Sequence, residues 1–140
     1  VQRFARHPTI VTSARLGDIF TVCNVANIVP RFEPSWHTHH STSAALEFAV
    51  NSLQIDHIVV MGHSGCGGIR ALLGDAPIAH DASSSFIQPW VDIISDARVR
   101  VMHLPSDERQ HACELEALKI SLHNLRSFPW IEERIAKGLL

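Results

Sequence analysis

The stretch from Ile58 to Gly68, Ile-Val-Val-Met-Gly-His-Ser-Gly-Cys-Gly-Gly, constrains this chain more than any other. A β-branched apolar run closes on a glycine, a histidine and a cysteine follow three residues apart, and a glycine pair leads into Ile69-Arg70-Ala71-Leu72-Leu73. The pattern predicts a buried parallel strand, a tight turn and a helix start. His63 and Cys66 are the zinc-binding side chain types of that turn, since zinc takes imidazole nitrogen and thiolate sulfur at about 2.0–2.3 Å. Gly62 and Gly65 would let the backbone bend, and Gly67 and Gly68 would let it close around an ion. The competing reading is a buried free cysteine beside a hydrogen-bonded histidine.

The rest of the chain reads as helices around few strands. Thr9 to Leu16 is a candidate short helix, and Asp18 to Val25 is rich in strand formers. Pro30 and Pro34 introduce a loop holding Trp36, His37, His39 and His40. Ser41-Thr42-Ser43 offers N-cap hydroxyls for a helix over 44–53, with Ala45, Leu46, Ala49, Val50 and Leu53 as its apolar face. The segment 75–85 is polar and loop-like. Helical spacing returns over Phe86 to His103. A long helix from Asp107 to Asn124 follows, capped by Ser106, with Ala112, Leu115, Leu118, Leu122 and Leu125 as its seam. A shorter helix restarts at Pro129 and ends at Gly138. Helix, buried strand, turn and helix make half of a βαβ unit and so an α/β class, in one domain over 1–140.

Composition narrows the function classes. With 46% hydrophobic and 19% charged residues the chain is globular. A net charge of −2 leaves no basic face for nucleic acid. No apolar run reaches the length of a membrane span, and no signal-peptide pattern opens the chain. Cys23, Cys66 and Cys113 are odd in number and far apart, which fits a reducing, cytoplasmic setting. The first residue is Val1 rather than Met, so a fragment or a processed product is expected.

A nucleophilic site is the second chemistry to weigh. Gly62-His63-Ser64-Gly65 approaches the G-x-S-x-G elbow, but Cys66 stands where the last glycine belongs. Asp92 or Asp96 with His103, His111 or His123 would have to complete such a serine hydrolase. Arg70 follows Cys66 too closely to close a phosphate cradle. The spacing of His37, His39 and His40 fits no defined metal site, and Cys113 reads as helix packing.

Gly17-Asp18-Ile19-Phe20, Asn24-Val25-Ala26-Asn27, the run from Thr42 to Val50 and the His63/Cys66 turn resemble β-class carbonic anhydrases of the bacterial type. Ala112-Cys113-Glu114, Ser121-Leu122, Asn124-Leu125 and Phe128-Pro129-Trp130 extend the resemblance over nearly all of the chain after Pro8. The resemblance implies a zinc lyase interconverting CO2 and bicarbonate, with one zinc per subunit held by Cys, His and Cys, and a homo-oligomer, dimer or higher. His63 and Cys66 match the second and third ligands. Ser64, Gly65, Gly67 and Gly68 match the supporting loop, and Asn24, Ala26 and Asn27 match the segment lining the site. The family's first motif, Cys-x-Asp-Ser-Arg, aligns on Val1, Arg3, Phe4 and Ala5, so the first ligand is missing and the Asp and Arg positions are Arg3 and Ala5. Cys23, where the family usually has arginine, is the candidate third ligand. The resemblance implies an incomplete, mainly parallel sheet wrapped by helices, lacking the strand before the first motif and the final strands. A catalytically inactive homologue, serving as a binding or subunit-contact protein, is the alternative that these departures raise.

Overall fold

The computed structural model describes residues 8–34, 40–74 and 86–140. Seven α-helices order the described residues: α1 (Pro8–Thr12), α2 (Ser41–Glu47), α3 (Gly67–Leu73), α4 (Ile87–Asp92), α5 (Ser95–Val101), α6 (Ser106–Leu125) and α7 (Pro129–Ala136). A 3-10 turn spans Val25–Asn27, and α2 runs on into a π turn over Phe48–Ser52. The expectations at Val1, Arg3, Phe4 and Ala5, and those at Trp36, His37, His39 and 75–85, lie outside the described residues.

Two apolar clusters hold these elements. One gathers Ile28, Ile69, Leu72, Val91, Ile94, Ala97 and Cys113 where α3, α4, α5 and α6 meet. The other packs Val29, Leu46, Val50, Leu125, Phe128 and Ile131, with Ile58 and Val60 against it. Between them α6 presents a polar stripe. Ser121 Oγ accepts from the Val29 N–H at 3.2 Å and donates to the Asn27 carbonyl at 3.3 Å. Asn124 donates to the Val29 carbonyl at 2.9 Å, and just past the end of α6 Ser127 Oγ accepts from the Phe32 N–H at 2.8 Å. The helix thus supplies, from side chains, the main-chain partners that a neighbouring strand would give.

The predicted seam of α6 is corrected by this arrangement. Its buried residues are Cys113, Glu114, Ala117, Ser121, Asn124 and Leu125, whereas Leu115 and Leu122 are exposed. The buried face is turned because the 27–32 backbone needs hydrogen-bonding groups that leucine lacks. The single helix expected over 86–103 breaks at Ile94 (φ −114°, ψ 27°), which separates α4 from α5. Neither Ser41 nor Ser106 caps its helix; both are first helical residues, preceded by His40 and Pro105.

No strand is present among the described residues, so the strands expected over 18–25 and 58–62 are not formed as such. Parallel strands exist only through a ladder to a neighbour, and neither segment has one among the described residues. The reading of 58–61 as buried on both faces also fails. Ile58 and Val60 pack against the second cluster while Val59 is 79% exposed, an alternation in which one face alone is covered.

Candidate functional site

The segment 58–63 delivers the chain to a turn at Ser64 and Gly65, from which α3 begins. Gly65 has φ +71°, the left-handed region that glycine occupies without a Cβ penalty. Cys66 follows as the N-cap of α3 in extended conformation (φ −63°, ψ 122°) and is buried. Gly68, in the first turn of α3, is needed for a different reason than expected. A Cβ there would stand 2.8 Å from Ala26 Cβ and 2.9 Å from Val25 Cγ1, whereas one at Gly67 would meet nothing within 4 Å. The close approach at Gly68 is therefore to the Val25–Asn27 turn, and Gly67 faces open space.

That turn is itself unusual. Ala26 (φ 62°) and Asn27 (φ 48°) are consecutive non-glycine residues in the left-handed region, a conformation that persists only where the surroundings enforce it. Here Trp90 Nε1 donates to the Val25 carbonyl at 2.7 Å. Asn24 closes the turn from below, its Oδ1 accepting from the Ile28 N–H and its Nδ2 donating to the Ile28 carbonyl, both at 2.9 Å. Asn24 and Ala26 thus shape the turn, and Asn27 is the member that reaches the cavity.

The cavity has a volume of about 140 Å³. Asn27, Gly62, His63, Ser64 and Cys66 line it, together with Ile69, His111, Glu114, Leu115 and Leu118. Four residues singled out from sequence for the site, His63, Cys66, Ser64 and Asn27, therefore share one cavity. Cys23 is not in its lining and is exposed. His63 Nδ1 lies 3.1 Å from the Ser64 carbonyl oxygen, so the atom of Ser64 that it meets is main-chain rather than the hydroxyl.

Glu114 is the residue that sequence reasoning missed. Its carboxylate is buried, with Oε1 accepting from the Cys66 N–H at 2.9 Å and from Gln110 Nε2 at 3.1 Å. Its Oε2 stands 3.7 Å from Nδ1 of the exposed His111. Forty-eight residues separate it from Cys66, and the one signal was an acidic residue next to a cysteine in a helix. Burial pushes the neighbouring Cys113 thiol up to about 11, with the Glu114 and Glu116 carboxylates adding to the effect. Cys113 is thus a neutral packing residue, as read from sequence.

A catalytic zinc takes three protein donors and keeps a fourth position for water. His63 and Cys66 are the right donor types on one cavity wall. Among the described residues, however, no three His, Cys, Asp or Glu side chains gather closely enough to hold a metal ion. The described residues do not by themselves complete a zinc centre.

A model of the family described as carbonic anhydrase matches residues 5–140. Beta carbonic anhydrase 3 of Arabidopsis thaliana is 34% identical over 137 residues, covering 95% of this chain and 52% of that protein. The mitochondrial Beta carbonic anhydrase 6 of the same plant is 40% identical over 136 residues, covering 94% of this chain and 45% of that one. The chain spans about half the length of the curated relatives it matches. In solved structures, the β-carbonic anhydrase CcaA superposes with a TM-score of 0.84 at 27% identity, over 96% of this chain and 60% of that one. A tetrameric β-carbonic anhydrase from Sordaria macrospora gives a TM-score of 0.78 at 28% identity, over 95% and 65%. These neighbours give the fold class expected from sequence, an α/β architecture present in incomplete form.

Proposed function

The chain belongs to the carbonic anhydrase family, in its β class, and from that premise we propose that it carries a two-donor part of a zinc centre for the reversible hydration of CO2 to bicarbonate. His63 and Cys66 are the donors, Ser64, Gly65, Gly67 and Gly68 their supporting loop, and Asn27 a further residue of the cavity lining. The observation that carries this reading is that His63 and Cys66 line a single cavity of about 140 Å³. When zinc is bound in such a family it supplies Lewis acidity and an activated water. The chain's own residues here shape the cavity, with Leu115 and Leu118 as its apolar wall.

Two donors hold zinc far more weakly than three, because each missing bond leaves a coordination position to water. Chain stripped with EDTA and reloaded is therefore expected to retain well under one zinc per chain, with CO2 hydration by stopped flow at the uncatalysed background. Stoichiometric zinc that survives dialysis would overturn this reading and bring a third donor, Cys23 among the candidates, back into play; Cys23→Ser would then lower it.

The second reading, an inactive homologue that acts as a subunit-contact protein, draws on the surface. Phe20, Phe48, Leu53, Val59 and Met61 are each well exposed, and the Sordaria neighbours are described as tetrameric. Assembly with further copies of the chain is proposed under both readings. A cytoplasmic setting is likewise a proposal, supported by the three free cysteines. No helix among the described residues is long and apolar enough to cross a membrane.

A further inference from the structure

The N-terminus of α3 lacks the residues that usually secure one. Helices prefer Ser, Thr, Asp or Asn at the N-cap, and a glutamate at the third helical position often reaches back to the N-cap N–H. In α3 those positions are held by Cys66 and Ile69, and Cys66 makes no side-chain capping bond. The carboxylate arrives instead from another helix. Glu114 of α6, itself 8% exposed, accepts the Cys66 N–H at 2.9 Å. Gln110, one turn earlier on α6, donates to the same oxygen at 3.1 Å and holds the carboxylate in place.

This division of labour has a consequence for the thiol. A serine at position 66 would spend its hydroxyl on the helix. With the N-cap amide secured from across the cavity, the Cys66 side chain is left uncommitted in the cavity wall. We propose that Glu114 is a positioning residue, which sets the Cys66 turn from α6 so that the sulfur, rather than a capping bond, faces the cavity. The inference rests on the reading of Cys66 as a metal donor for its purpose, but its geometry stands without metal. The group that does the work is a hydrogen-bond acceptor, so glutamine, whose amide oxygen also accepts, substitutes for it, and leucine of similar size does not.

The test compares Glu114→Gln and Glu114→Leu with the parent chain, free of metal, by timed alkylation with iodoacetamide and peptide mapping at one pH. Cys113, fully buried on the same helix, reports general loosening when Glu114→Leu is set against Glu114→Gln, since both variants remove the carboxylate charge that acts on its thiol. Glu114→Leu is expected to raise the alkylation rate of Cys66 tenfold or more relative to Cys113, while Glu114→Gln stays within about threefold of the parent. An unchanged Cys66 rate in Glu114→Leu overturns the proposal, as does a parallel rise at Cys66 and Cys113, which would make Glu114 a general stability residue. Cobalt titration of the parent chain separates the two readings. A missing sulfur-to-cobalt charge-transfer band removes the donor role of Cys66 and leaves the alkylation result to decide the role of Glu114.

Discussion

Gly67 and Gly68 are neighbours in the first turn of α3 and should answer to the same substitution with opposite signs. Neither has a positive φ, so alanine fits the backbone at both. At Gly68 the new Cβ would stand 2.8 Å from Ala26 Cβ, 2.9 Å from Val25 Cγ1 and 3.3 Å from the Ala26 nitrogen. Carbon atoms rest at about 3.5–4.0 Å, and none of these three is the loose end of a long side chain. The Val25–Asn27 turn must retreat, against the Trp90 and Asn24 bonds that hold it. Overpacking of this kind costs about 1–3 kcal/mol, against a gain of about 0.4–1 kcal/mol from restricting the unfolded chain. Gly68→Ala is thus expected to destabilise by about 1–2 kcal/mol. Gly67→Ala, with nothing within 4 Å of its Cβ, should keep the whole gain of about 0.4–1 kcal/mol. Urea unfolding followed by far-ultraviolet circular dichroism reads both as midpoint shifts at constant slope. A Gly68→Ala chain as stable as Gly67→Ala would refute the packing of α3 on the Val25–Asn27 turn.

Stability should also fall in alkali. The folded Cys113 thiol is raised from 9.0 to about 11, so the native state holds its proton where the unfolded state releases it. The contribution is whole below pH 9 and is lost as pH rises toward 11, by about 3 kcal/mol in all; a Cys113→Ala chain whose unfolding midpoint falls just as steeply over that range would contradict it. In assembly, light scattering of the purified chain is expected to give a mass above that of the 15.5 kDa monomer, because unpaired extended segments with exposed apolar residues invite pairing; a sharp monomer peak would count against it.

Local signals were enough for the turn and for the helices that end on clear punctuation. Gly74, at φ +84°, stops α3, and Pro129 opens α7. That His63 and Cys66 would share one cavity was legible because the glycines around them mark a single tight turn. What failed depends on partners far along the chain. The 18–25 and 58–62 segments have strand composition, but a ladder needs a neighbour that composition cannot supply. The seam of α6 was misplaced because leucine spacing outweighed Ser121 and Asn124, whose burial makes sense only once residues 27–32 lie against them. The role of Glu114 was hidden for the same reason: its partner is an amide N–H forty-eight residues away, and every residue but proline has one.

The polar stripe of α6 grips main-chain atoms of Asn27 and Val29, whatever side chains that segment carries. Substitutions along that segment that keep its backbone path should leave the grip untouched, while a change at Ser121 or Asn124 loosens it at once. The two sides of this contact are therefore held by different things: Ser121 and Asn124 by their own polar groups, the loop by its backbone path and by the core packing of Ile28 and Val29.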